Sequence, residues 1–270
     1  MNIPMNELFR TFQPTLTKPG LAEFGLSLEY SAPCRSLKGV VHSYLQIRAE
    51  KPTPYPVIPD GTQSIFISPR GSIIGGAQIQ TRDIQILEAG EYFGIRFYAS
   101  ALRQFFNLDL SEITDQFVGS EYFPCQKFSA LYQLIYKESN YRKRVSICEN
   151  WLLQSYNPQL KSRFDQALYL IYQSSGNIRV NELANNVAWS SRHLNRLFQL
   201  NTGLNTKTFT KIIRLQQACK HLYMTPHKSL NSNFELGFFD QSHLIKDFRK
   251  HLLSKPTDFS NRFMSDFYNQ

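Results

Sequence analysis

Four hydrogen-bonding side chains between residues 192 and 199 recur at intervals of three and four, the spacing that places residues on one face of an α-helix. These residues are Arg192, Asn195, Arg196 and Gln199. All four can donate hydrogen bonds, so a helix that carries them could present donors to a groove of nucleic acid. The same pattern is also typical of an ordinary solvated helix face. From these residues alone the two interpretations are equally favoured.

Two short amphipathic helices joined by a tight turn must position those donors. Apolar residues at positions 180, 183, 184 and 187 predict the first helix, and Leu194, Leu197 and Phe198 predict the second. The polar Ser190 separates them. Further helices are expected at about 160–174 and 207–223, so this half of the chain is predicted to be an all-α domain containing a helix-turn-helix.

The pattern returns about fifty residues later, as a degenerate internal repeat. The segment Ser191-Arg192-His193-Leu194 corresponds to Gln241-Ser242-His243-Leu244, and Phe198 corresponds to Phe248. The sequence therefore predicts a second unit of the same kind, with its exposed helix at about 240–250.

The positive charge is concentrated in this repeated half. The whole chain carries a formal net charge of +9, but residues 1–155 hold 15 Lys and Arg against 14 Asp and Glu, whereas residues 156–270 hold 15 against 7. A basic domain attached to a neutral one favours a polyanionic partner for the second half. A generally basic surface, or one that meets an anionic membrane face, remains an alternative on charge alone.

Several classes of protein are disfavoured by the same sequence. No apolar run approaches the roughly 18 to 20 residues of a membrane span, and the first residues lack the pattern of a secretion signal, so we expect a cytoplasmic protein. The cysteines are scattered and never in CxxC spacing, which predicts reduced thiols and no metal site. They are Cys34, Cys125, Cys148 and Cys219. No cofactor is indicated.

The first half shows the two-residue period of β-strands. Between Phe24 and Tyr98, short alternating runs are separated by turn sequences such as Pro59-Asp60-Gly61 and Pro69-Arg70-Gly71. We expect a small antiparallel barrel or sandwich. The predicted strand runs are 41–48, 63–68, 72–80, 84–88 and 92–98, and the segment before Glu23 is expected to be an irregular arm.

Packing helices are predicted after the strands, at about 100–107, 128–138 and 142–154. The second is expected to bury Phe128, Leu131, Leu134 and Ile135. Asn157-Pro158 interrupts the helical pattern and marks the predicted domain boundary. The fold class is thus α+β, with a β-rich domain over 1–156 and a helical domain over 160–270.

Residues 160–265 resemble the DNA-binding region of the AraC/XylS family of bacterial transcription regulators. The matching residues occur in order and at the family's spacing over about a hundred positions. They are Leu183-Ala184, Ser190 to Phe198, Gly203, Arg214-Leu215, Ala218, Leu222, Gly237-Phe238, Asp240-Gln241-Ser242, Phe248-Arg249-Lys250 and Pro256. The resemblance implies two helix-turn-helix units, bridged by one long helix, that present recognition helices to successive major grooves.

The resemblance also assigns contacts residue by residue. It places Arg192, Asn195 and Arg196, beside Gln199 on the same face, against bases or the nearby backbone, and Gln241, Ser242, Ile245 and Lys246 in the second unit. Arginine can reach guanine with two hydrogen bonds, whereas isoleucine offers only apolar contact, so the first unit should dominate base readout. For each residue a phosphate contact is the alternative, and for Arg196 an intradomain ion pair.

Departures from the family pattern fall mostly in the second unit. Ser232-Asn233 stand where an apolar pair is usual, and Leu253 stands where glycine is usual. Thr206 replaces the usual proline before the long helix and is expected to cap it.

The β-rich half resembles an N-terminal domain of some members that is presumed to sense a signal. Barrel interiors can hold a small ligand, and Tyr44, Arg48, Arg96 and Tyr98 are candidate pocket residues, although such residues at alternate strand positions are more often on the surface. The expected partners are double-stranded promoter DNA, RNA polymerase, a second copy of the chain through this half and a small-molecule effector. The expected role is that of an activator.

Two other functions are weighed against DNA-dependent regulation. Pro33-Cys34-Arg35 superficially resembles the Pro-Cys-His-Arg nucleophile of DNA-repair alkyltransferases that carry the same DNA-binding region. The histidine is missing, so the sequence predicts no enzyme. A co-regulator that acts mainly through protein contacts is the other alternative.

Overall fold

An antiparallel sheet forms the larger part of the first half of the chain. The computed structural model describes residues 9–106, 108–119, 126–155, 162–224 and 237–259. Within these ranges the strands are β1 Leu26–Ser31, β2 Val41–Ala49, β3 Thr53–Val57, β4 Gln63–Ser68, β5 Gly71–Gly75, β6 Arg82–Ile86, β7 Gly90–Phe97 and β8 Phe117–Gly119. Six of them form one sheet in the order β1-β2-β7-β4-β5-β8, and β3 pairs with β6 in a second sheet.

The two sheets pack face to face, as the predicted sandwich requires. Leu45 and Ile47 of β2 share an apolar cluster with Tyr55 of β3 and Ile86 of β6. The opposite face of the large sheet packs against helices, with Tyr44 in that cluster. Strand β2 is therefore buried on both faces, although its alternating sequence is typical of a strand with one solvated face.

Two strand predictions need correction. The run expected over 72–80 ends as a strand at Gly75, because the chain turns there to lie against Ile113, whose carbonyl oxygen leaves no room for a side chain at position 76. Strands β1, β3 and β8 are not among the predicted runs, and in β3 the pattern is interrupted by Pro54 and Pro56. Strand β3 tolerates both prolines because it pairs only with β6 and needs few donors.

The helices of the first half lie close to their expected positions, with two differences. Helix α1 is Lys18–Ala22, α2 is Gln126–Lys137 and α3 is Tyr141–Ser155. The helix predicted over 100–107 is a short 3₁₀ helix, Ala101–Gln104, followed by another at Leu110–Ile113. Leu134 of α2 was expected to be buried and is 54% exposed, whereas Phe128, Leu131 and Ile135 are buried as predicted.

The second half is helical throughout its described residues. Its helices are α4 Arg163–Gln173, α5 Val180–Asn186, α6 Ser191–Thr202, α7 Thr206–Met224 and α8 Gln241–Asp247, which continues into a π-helical turn at Phe248–Leu252. The long helix α7 spans roughly 28 Å at 1.5 Å per residue. The predicted boundary at Asn157-Pro158 and the departure at Ser232-Asn233 lie outside the described residues. No described helix has both the length and the apolar character needed to cross a membrane.

The N-terminal arm is wedged between the two halves. The ring of Phe9 stacks on Tyr172 of α4 at a centroid distance of 4.8 Å. The Phe12 N–H donates to Gln216 Oε1 of α7 at 2.6 Å, and Gln216 Nε2 donates to the Pro59 carbonyl at 2.9 Å. The arm thus ties the long helix to the sheet domain, and it contains helix α1, where the sequence predicted only irregular structure.

Candidate nucleic-acid interface

Helix α6 carries the predicted donors, and local sequence fixes both of its ends. The Ser190 hydroxyl accepts from the His193 N–H at 3.2 Å, which caps the first turn, and the helix stops at Gly203 with φ of 81°. Leu194 and Phe198 are fully buried and anchor one face. The remaining face is exposed and holds Arg192, Asn195, Arg196 and Gln199, which confirms the predicted exposure of all four.

The contacts of these residues differ. Arg196 Nη2 lies 3.5 Å from His193 Nδ1, and no acidic side chain among the described residues pairs with it, so the intradomain ion pair is not formed there. Asn195 Oδ1 accepts from the Thr206 N–H at 2.9 Å, at the start of α7. The Asn195 side chain is therefore fixed by the long helix, while its amide N–H groups point to no described partner.

The expected cap at Thr206 was wrong by one residue. Asn205 Oδ1 accepts from the Thr208 N–H at 2.8 Å, so Asn205 caps α7. Thr206 is the first helical residue, the position where proline is favoured because the N–H there has no helical acceptor. In this chain that N–H is satisfied by Asn195.

Helix α8 repeats the geometry of α6. The Asp240 carboxylate accepts from the His243 N–H at 2.7 Å, and Leu244 and Phe248 are fully buried. The side chains of Trp189 and His193 meet edge to face at 5.1 Å, and those of Phe239 and His243 do so at 6.1 Å. The cap, the aromatic-histidine contact and the buried anchors all recur at the offset that the sequence predicts. Gln241, Ser242 and Lys246 are exposed, and Ile245 is half-buried.

The far ends of the two helices are not alike. Helix α6 runs for 12 residues, whereas α8 runs for 7 before the π-helical turn. The second unit ends at Leu253, which takes the left-handed conformation with φ of 54°. Leu253 occupies the position of Gly203 in the first unit. The leucine is therefore held in a left-handed backbone conformation that favours glycine.

Helix α7 joins the units through contacts on both sides of the second one. Lys211 Nζ pairs with the Asp247 carboxylate at 2.8 Å. The Arg214 guanidinium donates to the Gly237 carbonyl at 3.2 Å and lies 5.0 Å from the centre of the Phe238 ring. Burial lowers the pKa of Arg214. These contacts orient α8 relative to the long helix.

Two further basic residues, Arg249 and Lys250, are exposed directly after α8. Both match the family pattern, but the resemblance does not assign them to DNA contacts. The spacing from Ser242 through Lys246 to Arg249 continues the three-and-four pattern and could have indicated Arg249.

The candidate ligand residues of the sheet domain do not converge on one pocket. Tyr44 is fully buried toward the helices, and its hydroxyl has no hydrogen-bond partner among the described residues. Arg48 is exposed and pairs with Glu91 at 2.7 Å. Arg96 is buried and pairs with Asp60, and buried Tyr98 meets His42 edge to face at 5.2 Å. Three of the four are thus buried, against the surface position that their types favour.

A buried polar network surrounds Arg96 in the sheet domain. Burial alone would raise the pKa of Asp60, but Arg96 and hydrogen bonds from Gln13 and Thr62 outweigh it and hold that pKa below its usual range. Burial, with the Arg96 charge, lowers the pKa of the nearby His42. The cavity that remains beside Arg96 measures about 40 Å³. Ligand pockets are typically about 300 to 1,000 Å³, so this space fits water instead of a drug-sized molecule.

The cysteines give no support to alkyl transfer. Cys34 is half-buried, and its backbone N–H donates to Glu149 Oε1 at 2.6 Å, so the side chain placed beside this residue is a carboxylate and not the histidine of the alkyltransferase motif. Burial raises the pKa of Cys148 and Cys219. Cys34, Cys148 and Cys219 are all free thiols, as predicted, while Cys125 lies outside the described residues. The described residues contain no cluster of three metal-ligating side chains.

Comparisons with known proteins match the two halves separately. Residues 29–119 match a domain of unknown function, DUF6597, and residues 183–262 match a helix-turn-helix domain. A curated relative, the uncharacterized HTH-type transcriptional regulator YbfI of Bacillus subtilis (strain 168), is 34% identical over 68 residues. That match covers 25% of this chain and 24% of the relative.

Solved structures of ToxT from Vibrio cholerae also match. One has 9% identity and a TM-score of 0.44, covering 87% of this chain and 97% of ToxT. Another, of ToxT bound to an unsaturated fatty acid, has 10% identity and a TM-score of 0.39, covering 89% and 96%. The helix-turn-helix match takes in both α6 and α8 with the linking helix between them. Residues 183–262 are therefore an AraC-type helix-turn-helix domain, and the chain carries it behind an N-terminal domain of the DUF6597 family.

Proposed function

We propose that the chain is a sequence-specific DNA-binding transcription regulator that inserts α6 and α8 into two successive major-groove segments. The observation that carries this proposal is the repetition of one capped, buried-anchor helix with an exposed N-terminal face, at Ser190 and again at Asp240. Residues in the first turns of a recognition helix are the ones that reach base edges.

The two helices contribute differently to base readout. Arg192 and Arg196 can each donate two hydrogen bonds to guanine O6 and N7. In α8, Ser242 can hydrogen-bond a base, Ile245 can contact a thymine methyl group and Lys246 fits a phosphate. The first unit therefore supplies most of the base discrimination, and the second supplies mainly affinity. Gln199 and Gln241 complete the two faces as hydrogen-bonding groups.

The experiment that tests this function begins with a site selected by the purified full chain from a pool of random duplexes. Arg196→Ala should cost about 1 to 3 kcal/mol on the selected site, with a smaller loss on random DNA. Affinity is measured by gel shift at several salt concentrations. Arg142→Ala is the matched control, because it removes the same charge from an exposed position on α3 of the sheet domain.

The outcomes separate three roles for Arg196. An equal loss on selected and random duplexes would reassign it to a phosphate, and no loss on either would remove α6 from recognition. If the wild-type chain enriches no sequence from the pool, the proposed function itself fails. A salt-independent affinity would instead favour a co-regulator with little DNA contact of its own.

Association through the sheet domain is part of the proposal. Helices α2 and α3 expose the apolar side chains of Leu134, Tyr136 and Leu153. Exposed apolar residues gathered on packed helices favour a second copy of the chain as their cover. Leu134→Glu should shift the protein from dimer to monomer in analytical ultracentrifugation while its circular dichroism stays the same. A wild-type monomer at micromolar concentration would contradict this.

An activating role through RNA polymerase, and control by a small-molecule effector, complete the proposal. Both rest on the resemblance of the two halves to regulators of this type. In vitro transcription from a promoter that contains the selected site, with and without the chain, distinguishes activation from repression. The described residues offer no ligand-sized space at Arg96, so the effector site stays a prediction.

A further inference from the structure

Two segments of the sheet domain form a single surface that faces the helical domain. Residues 76–81 and 110–116 are joined by hydrogen bonds from the Gly76 N–H to the Gln116 carbonyl and from the Asp115 N–H to the Ala77 carbonyl, each 3.0 Å. The Asp115 carboxylate also accepts from the Ile79 N–H at 2.8 Å. We call this surface, residues 76–81 with 110–116, the interdomain platform.

The platform holds the C-terminal end of the first recognition helix. The Thr114 hydroxyl donates to the Gly203 carbonyl at 2.5 Å. Gly203 lies so close to the platform that a Cβ atom there would be 2.8 Å from the Leu110 carbonyl oxygen. Beside the platform, Arg103 donates to Asn201 Oδ1 at 2.6 Å. The last turn of α6 is therefore fixed against the sheet domain.

The platform also holds the corresponding end of the second unit. The Thr81 N–H donates to the His251 carbonyl at 2.8 Å, and His251 Nδ1 donates to the Ile79 carbonyl at 2.8 Å. Gln80 Nε2 donates to the Lys250 carbonyl at 3.0 Å. His251 occupies the position that Asn201 occupies in the first unit. One rigid surface thus contacts the same end of both recognition helices.

The platform leaves the other ends of those helices uncovered. Arg192 and Ser242, in the first turns, are exposed. From Arg192 to Gly203 a helix rises by roughly 16 Å, so the platform and a DNA groove can contact the same helix at once, at opposite ends. The platform contacts therefore restrict the distance and angle between α6 and α8. They leave the DNA-facing residues in the first turns of both helices uncovered.

We propose that the interdomain platform sets the separation of the two recognition helices, so that the sheet domain selects DNA sites by the spacing of their two half-sites. The proposal rests on the proposed function. The long helix α7 provides one connection between the units, and the platform provides a second that does not run through the segment after Met224. Two independent connections fix a distance more tightly than one, and a rigid pair of helices tolerates only a half-site spacing near one turn of DNA.

The test measures affinity against half-site spacing. Starting from the duplex selected with the wild-type chain, one or two base pairs are inserted or removed between the half-sites. The wild-type chain should lose about tenfold or more in affinity away from its preferred spacing, since both the distance and the helical phase change. The double variant Thr114→Val with Gln80→Ala, which loses one contact to each unit, should flatten this profile to within about threefold.

Two more variants make the result decisive. Ser146→Ala removes an exposed hydroxyl on α3 that donates to the Arg142 carbonyl outside the platform, and should keep the wild-type profile. Asp115→Ala opens the platform itself and should flatten the profile further. Thermal melting establishes that each variant is folded.

An unchanged spacing profile in both the double variant and Asp115→Ala would overturn the proposal. So would tighter binding by both variants at every spacing, which would make the platform contact inhibitory. These outcomes differ from failure of the proposed function, in which the wild-type chain selects no sequence and no profile exists.

Discussion

The two helix-turn-helix units share the same N-terminal cap and buried anchor residues, but their helices end differently. In both, a capped first turn leads into a helix anchored by a buried leucine and a buried phenylalanine. The first unit closes with Gly203, which adopts a left-handed conformation at no steric cost. The second closes with Leu253 in the same conformation and passes through a π-helical turn. Its short helix therefore depends more on contacts from outside the unit.

Those outside contacts come from Lys211, Arg214 and the interdomain platform. In the second unit regular α-helical hydrogen bonding covers only 7 residues before the π-helical turn, and short α-helical stretches rely on tertiary packing. The second unit, which has a strained end, can therefore keep the geometry of the first when α7 and the platform hold its helix in place. Four sets of substitutions test that conclusion.

Gly203→Ala should have the largest effect. A Cβ atom there would lie 2.7 Å from Thr114 Oγ1 and 2.8 Å from the Leu110 carbonyl oxygen, and the residue has φ of 81°. Steric crowding and the left-handed backbone together should lower the free energy of unfolding by about 3 kcal/mol. Urea denaturation measures the loss.

Gly25→Ala is the control for that prediction. Gly25 also has positive φ, 68°, but a Cβ atom there meets nothing within 4 Å. It should cost only the backbone term, about 1 to 2 kcal/mol. Equal losses at the two glycines would mean that the platform does not crowd the end of α6.

The two N-terminal caps should respond alike. Ser190→Ala and Asp240→Ala each remove the acceptor for the first turn, and each should cost about 1 kcal/mol. If the second unit relies on outside support, Asp240→Ala should in addition increase amide hydrogen exchange within α8 more than Ser190→Ala does within α6. Equal exchange in the two helices would argue against a weaker second unit.

Leu253→Gly should stabilise the protein. Leu253 is 52% exposed, so its removal loses little packing, and glycine relieves the left-handed strain. Against this stands the greater entropy of glycine in the unfolded chain, and the net gain should be about 0.5 to 1 kcal/mol. A drop in the melting temperature would show that the leucine side chain makes contacts that outweigh its backbone strain.

The smallest expected effect is on the pH dependence of stability. It arises because His251 stands where the first unit has Asn201, which does not titrate. Burial lowers the pKa of His251 in the folded protein below the value near 6.5 that the ring has in the unfolded chain. The unfolded state then binds more protons, and this contribution to stability is lost as pH falls below about 6.5. His251→Asn should reduce the loss of melting temperature between pH 7 and pH 5. An identical pH profile would contradict the assignment.

Local patterns predicted the helical half closely, because its signals are short in range. The three-and-four spacing around Leu194 depends only on neighbouring residues, and the repeat was visible as a match between two short segments fifty residues apart. The sheet half was predicted as a class, but strand β3 was missed, since only its edge position makes its two prolines tolerable.

The contacts between domains could not be predicted in this way. Nothing near Thr114 in the sequence indicates Gly203, and nothing near Gln13 indicates Asp60, because such pairs depend on how distant elements pack. For the same reason the burial of Tyr44 and Arg96 contradicted the preference of their residue types. Residue type predicts only an average exposure. Whether the other sheet and the packing helices cover both faces of β2 and β7 depends on the whole fold, which no short stretch of sequence reveals.

The hydrogen bond from the Thr206 N–H to Asn195 Oδ1 fixes the orientation of the Asn195 amide. A residue of α7 therefore determines which amide atoms α6 presents. Reading adenine requires an asparagine side chain to accept from N6 and donate to N7 together. With Oδ1 turned toward Thr206, Asn195 presents its two N–H groups, a pattern suited to guanine O6 or N7, or to thymine O4. A proline at position 206 would have no N–H to hold that oxygen. Under the proposed function, the base that Asn195 prefers is thus set in part at the start of the next helix.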